Sequence, residues 1–151
     1  MLRERLRENL KTSMKAKEER KVATLRLILA ALKDRDIAAR GDGNEEGISE
    51  EDILAMLGTM VRQRRDAITL FEEGGRQELA DREQEEIEII HGFLPKQLGE
   101  EEIADAVKEV ISRLGAKGLK DMGRIMSDLR GHFAGQMDFG RASQIVKERL
   151  A

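Results

Sequence analysis

Apolar residues recur along this chain with the period of a helix, and polar breaks cut the recurrence into seven segments. Leu2, Leu6, Leu10 and Met14 fall four apart, which predicts a first helix over 2–17 with one apolar stripe. Arg3, Arg7, Lys11 and Lys15 share another of its faces. Val22, Leu25, Leu29 and Leu32, widened by Leu27, Ile28 and Ala31, predict a second helix over 20–40. So broad an apolar arc suits a central helix covered on more than one side. Gly41-Asp42-Gly43-Asn44 ends it and opens a polar, acidic loop over 41–48, of a composition that favours mobility. Ser49-Glu50-Glu51-Asp52 opens a third helix, the hydroxyl placed to accept from a free N–H and the carboxylates at the positive end of the dipole. Ile53, Leu57, Met60, Val61, Ile68 and Phe71 carry it to Gly74-Gly75. A fourth helix, over 77–90, turns Leu79, Ile87 and Ile90 inward and is otherwise acidic.

The only proline, Pro95, interrupts the pattern. It lacks a backbone N–H and disfavours helical geometry at Leu94, so a helix arriving from upstream ends there. Phe93, Leu94 and Leu98 are too apolar for a free linker, and the stretch 91–102 reads as a packed elbow with these residues buried at the junction. A fifth helix starts beside Gly99 with three glutamates in its first turn, and Gly115 is placed to end it as a left-handed cap. A sixth, over 120–130, packs Met122, Ile125, Met126 and Leu129. Gly131 to Met137 reads as a glycine-bounded loop, and Asp138 caps a last helix that turns Ala142, Ile145, Val146 and Leu150 inward. No stretch alternates apolar and polar long enough to be a strand. The pattern predicts an all-α protein in two parts: an N-terminal domain of four helices over 1–94 and a C-terminal domain of three over 95–151.

Composition narrows this picture. Trp, Tyr and Cys are absent and Phe occurs four times, so the core is aliphatic, as in helix bundles, and neither disulfides nor thiolate metal sites are available. The thiol-free composition fits a reducing compartment. Met1 to Arg5 is charged from the start, which argues against a secretory signal, and no apolar run reaches the ~20 residues of a membrane span. The expectation is a cytoplasmic protein with no membrane partner. Net charge is −3, but its sign varies: residues 1–40 carry twelve Lys/Arg against six Asp/Glu, and residues 117–149 carry seven against four. Two moderate basic patches on an acidic body are therefore open, although solvated helix faces are the simpler explanation of such charge.

The search for chemistry returns no catalytic set. His91 and His132 are far apart, and there is no nucleophile elbow, phosphate loop or spaced metal-ligand group. No catalytic residue, metal or cofactor is expected. The Arg62-Gln63-Arg64-Arg65 run and the glutamates of 78–88 are best read as offsetting each other across a packed helix pair. One constellation differs. Gly123 stands inside the sixth helix at a cost of about 1 kcal/mol against Ala, so something approaches the backbone there: a neighbouring helix is the simpler reading, and the basic neighbours keep a ligand open. Lys117, Lys120 and Arg124 surround it at helical spacing, with Arg130 further along.

Leu94-Pro95-Lys96-Gln97-Leu98 with its following acids, Asp121-Met122-Gly123-Arg124-Ile125-Met126, Gly135-Gln136-Met137-Asp138 and Val146-Lys147-Glu148-Arg149-Leu150 together resemble the YqeY family, as does the stretch from Leu25 to Lys33. These proteins are similar to the C-terminal helical and tail regions of GatB, a subunit of the tRNA-dependent Asn/Gln amidotransferase, a carbon–nitrogen ligase that takes its nitrogen from glutamine. Asp138 departs from the Asn-Pro usual in GatB. The resemblance implies an all-α, two-part protein whose domain 95–151 is GatB-tail-like. It also implies a role near tRNA in translation, without catalysis of its own, since the domain that activates the aminoacyl ester is absent. The expected function is a non-catalytic module binding tRNA or another structured RNA, with Lys117, Lys120, Gly123, Arg124 and Arg130 as the binding residues. The alternative is a protein-interaction adaptor or accessory factor of an amidotransferase or aminoacyl-tRNA synthetase assembly, using the elbow and the 41–48 loop; a third reading, an enzyme of carbon–nitrogen ligation, needs a catalytic set that the sequence does not show.

Overall fold

The structure is a computed structural model that describes residues 1–151. It is all-α. Seven helices follow in order: α1 (Leu2–Lys15), α2 (Glu19–Gly41), α3 (Glu50–Glu73), α4 (Gln77–His91), α5 (Glu100–Leu114), α6 (Met122–Phe133) and α7 (Phe139–Leu150), with a 3-10 turn at Leu119–Asp121 before α6. The chain divides into two compact units, Met1–Leu94 and Pro95–Ala151.

In the N-terminal unit α3 pairs with α4 and α1 with α2, and α2 also packs on α4 and α3. Their shared core holds Leu2, Leu6, Leu25, Ile28, Ile53, Leu57, Ile87 and Ile90, all within 4 % of full burial. Ser49 caps α3, its Oγ accepting from Asp52 N at 3.1 Å. The turn between α1 and α2 holds Lys17 at φ +57°, so α1 stops at Lys15, two residues short of the expected end. The Arg and Glu runs offset each other only in part: Arg64 Nε donates to Glu86 Oε2 at 2.8 Å, while Arg62 and Arg65 stay exposed.

Two expectations change here. The loop after α2 is tied down at its far end. Arg3 grips the Asp36 carboxylate with Nε (3.1 Å) and Nη2 (2.6 Å), and the same Nη2 donates to Ile48 O. Ile48 N returns a bond to Asp36 Oδ1 at 2.9 Å. Gly47 lies against this knot at φ +83°, where a Cβ would meet Asp36 Oδ1 at 2.3 Å. The second change concerns the width of the buried arc of α2: the helix packs on α1, α3 and α4 as a central helix should, but Leu27, expected to widen its inward stripe, is 50 % exposed, and Ile37 is 53 % exposed. Their periodicity is apolar, but the neighbouring helices reach only the face carrying Leu25, Ile28 and Leu32.

In the C-terminal unit α5, α6 and α7 pack on one another around Ile103, Val107, Val110, Ile125, Leu129, Ala142 and Val146. Glu102 accepts from Gly99 N at 3.1 Å at the start of α5, and Gly115 ends it at φ +65°. Asp138 Oδ1 accepts from Gly140 N at 2.8 Å at the start of α7. α6 runs three residues beyond its expected end, through Gly131 to Phe133, because Phe133 reaches the core and continues the inward stripe. The elbow residues do not form a junction of their own. Phe93 and Leu94 join the core of the first unit and Leu98 that of the second.

Candidate functional site

The candidate surface is built on α6 and the turn before it. Lys117, Lys120, Gly123, Arg124 and Arg130 are all exposed. Asp121 organises the approach. Its Oδ2 accepts from Lys117 N and its Oδ1 from Arg124 Nη2, both at 3.0 Å, which pins the turn to the first turn of the helix. The Lys117 N–H and then the Arg124 guanidinium hold this carboxyl below the usual carboxylate range. Arg124 is thus a partly neutralised cation. Lys117, Lys120 and Arg130 have no carboxylate within 4.0 Å. Arg130 is steadied instead by the face of Phe139, its guanidinium carbon 5.9 Å from the ring centroid.

Gly123 decides between two explanations of its own presence. It is exposed, it has no positive φ, and a Cβ there would meet nothing within 4 Å. Helix packing is therefore not what excludes a side chain. Ser127 and Gly131 follow at four-residue steps and are exposed as well. At about 100° per residue they continue one stripe with Gly123, with Arg124 on one flank and Arg130 on the other. Leu119 stands beside Lys120 with 56 % of its surface exposed. Sequence reasoning missed it and Ser127; the signal was an apolar residue out of helical period between Gly118 and Lys120.

Several other polar groups have structural partners, while Ser13 Oγ and His91 Nε2 are buried with none. Asp128 takes Arg113 at 2.5 Å and lies 3.1 Å from His132 Nδ1, and Arg141 pairs with Glu100. His91 closes α4; burial and the charge of Arg65 push its pKa down, so the ring is neutral near pH 7. No three His, Asp or Glu side chains converge on a point where a metal could sit. The N-terminal unit has a cleft of about 870 Å³, floored by Phe93 with Arg5 stacked on it at 5.4 Å. Its rim carries four cations and four carboxylates and so favours neither sign of ligand. No helix is long and apolar enough to cross a membrane.

A family model described as Yqey-like protein matches residues 3–150. Among curated proteins, the chain is similar to the "Altered inheritance of mitochondria protein 41, mitochondrial" of several yeasts. The Lachancea thermotolerans protein is 35 % identical over 89 residues, which is 59 % of this chain and 46 % of the relative. The Eremothecium gossypii protein is 36 % identical over the same shares. The Saccharomyces cerevisiae protein is 31 % identical over 114 residues, 74 % of this chain and 60 % of the relative. The chain thus spans about half the length of the curated relatives it matches. These names also correct the cytoplasmic expectation, since the relatives are mitochondrial proteins by name. The features behind that expectation, a charged start, no thiols and no long apolar run, do not distinguish one compartment from another.

Proposed function

This chain belongs to the YqeY-like family, and we propose on that footing that it is a non-catalytic RNA-binding protein whose ligand is tRNA or another structured RNA, held on α6 and the turn before it. The observation that carries the reading is the open space over Gly123 amid exposed cations. A stripe of Gly123, Ser127 and Gly131 lets a sugar-phosphate strand lie close to the helix, and Arg124 and Arg130 on its flanks meet phosphates on either side. Lys117 and Lys120 extend the same charge beyond the helix start. Recognition by shape and backbone, not base edges, suits a surface with no aromatic ring free to stack. The family's resemblance to the GatB tail supports tRNA as the first RNA to try, and a place beside translation. Among the carboxylates with shifted pKa values, Asp36, Asp121 and Asp128 are each lowered by a hydrogen bond from a neighbouring group that holds the fold together, while Glu83 is raised by burial and by the charge of Glu86.

Binding of the purified chain to bulk tRNA and to matched duplex DNA across a salt series tests the proposal. Preferential affinity for tRNA that falls steeply with salt is expected, since exposed phosphate contacts release counterions. Replacing Lys117, Lys120 and Arg130 by Glu should weaken it by about tenfold or more. Replacing Arg124 alone should cost less, because Asp121 already shares its charge. Absence of tRNA binding at low salt, or full affinity in the folded triple variant, would retire the assignment.

A further inference from the structure

The fold uses one face of α2 and leaves the other bare. Ala23, Leu27, Ala30, Asp34 and Ile37 follow one another at alternating four- and three-residue steps, and all five are exposed. They form one outward stripe about 21 Å long. The two large members, Leu27 and Ile37, are half exposed, and the short side chains of Ala23 and Ala30 on either side of Leu27 leave room for another backbone. Alongside runs a second row, Arg26, Lys33 and Arg40, spaced by seven and also exposed. None of the three has a carboxylate within 4.0 Å. With the stripe as the seam of a helix pair, these cations occupy the edge position where interhelical ion pairs form.

A second copy does not complete this pattern. An antiparallel copy sets the cation row against itself, and a parallel copy offers the opposite edge, Thr24, Ala31 and Ala38, which carries no charge. RNA would meet the cations but gain nothing from Leu27 and Ile37. We propose that the outward stripe of α2 docks an acidic amphipathic helix of a partner protein, its apolar face on Leu27 and Ile37 and its carboxylates against Arg26, Lys33 and Arg40. Asp34, a carboxylate within the seam between Ala30 and Ile37, selects a basic residue opposite and so sets the register. The inference is independent of the RNA surface, which is built on α6.

The probe is a synthetic three-heptad helical peptide with Leu along its seam, one Lys to face Asp34, and Glu on both edges. Its affinity for the full chain is read by fluorescence anisotropy. The wild-type chain is expected to bind it, and Leu27→Ser with Ile37→Ser to weaken binding about tenfold. Because both residues face outward, the helical signal in circular dichroism should not change. A variant carrying Arg26→Glu, Lys33→Glu and Arg40→Glu should lose the Glu-edged peptide and gain a Lys-edged one. Binding that is absent, or insensitive to both variants, overturns the proposal. So does a wild-type dimer in sedimentation that Leu27→Ser with Ile37→Ser converts to monomer, since a copy would then cover the face. Loss of tRNA affinity in the charge-reversed variant, with no peptide bound by the wild type, assigns the row to phosphate and also overturns it.

Discussion

At Gly47 the backbone is held at φ +83° with Asp36 Oδ1 where a side chain would begin, so the position accepts no other residue without moving the ion pair. Gly47→Ala is expected to destabilise the N-terminal unit, and Asp36→Ala to cost about 3 kcal/mol, because it strands a largely buried guanidinium; chemical denaturation measures both. Asp36 also gives the unit a pH dependence. The Arg3 guanidinium holds its carboxyl below the ordinary value, with the Ile48 N–H adding to the effect. The stabilisation is complete above the unfolded-state pKa of about 3.9 and is lost as pH falls through the lower folded value. Thermal melts should therefore decline steeply in this acid range, and less steeply for Asp36→Asn, whose melting point is lower throughout. Gly123 makes the opposite prediction. With nothing to meet its Cβ, Gly123→Ala should stabilise the fold by about 0.5–1 kcal/mol while weakening tRNA binding. A glycine kept only for packing would lose stability instead.

At the scale of the element, α2 shows how a helix with a broad apolar arc can bury one part of it and leave another bare. Leu25 is fully buried and Leu27, two positions on, is half exposed. Leu25→Ala is expected to cost about 3 kcal/mol through the cavity it leaves, and Leu27→Ala less than about 0.5 kcal/mol; denaturant midpoints separate them. If Leu27→Ala proves as costly as Leu25→Ala, the outward face is covered and the docking proposal loses its premise. Periodicity located every helix, because each fold-facing stripe had to recur at the helical step. It overextended α1, where Lys17 turns left-handed, and cut α6 short, where Gly131 was taken as a break although Phe133 anchors one more turn in the core.

On the scale of the whole molecule, each unit has a core drawn only from its own residues, 2–94 in one and 98–150 in the other. Residues 95–151 expressed alone are thus expected to fold as a helical unit of modest stability, given their small size, and to keep most of the tRNA affinity of the full chain. Circular dichroism and the salt-series titration would check this; an unfolded fragment shows that the second core needs more than its own residues. The net charge of −3 does not oppose RNA binding in this reading, since association depends on the local cation surface and not on the sum.

By itself the sequence determined that the chain is helical, where its helices lie, and most of the residues that face inward, because those properties follow from local propensity and from the step at which apolar residues recur; it did not determine that Met14 and Leu27 of the apolar stripes stay exposed. It also brought Lys117, Lys120, Gly123, Arg124 and Arg130 to notice, since a glycine among cations in a helix stands out along the chain. Only the tertiary structure decided what each of them is free to do. Asp121 takes part of Arg124's charge, Phe139 steadies Arg130, and open space lies over Gly123. The same holds for the knot of Arg3, Asp36 and Ile48 and for the bare face of α2. Whether a polar group is satisfied or an apolar one covered depends on residues distant in the chain, and no local pattern encodes which of them arrive.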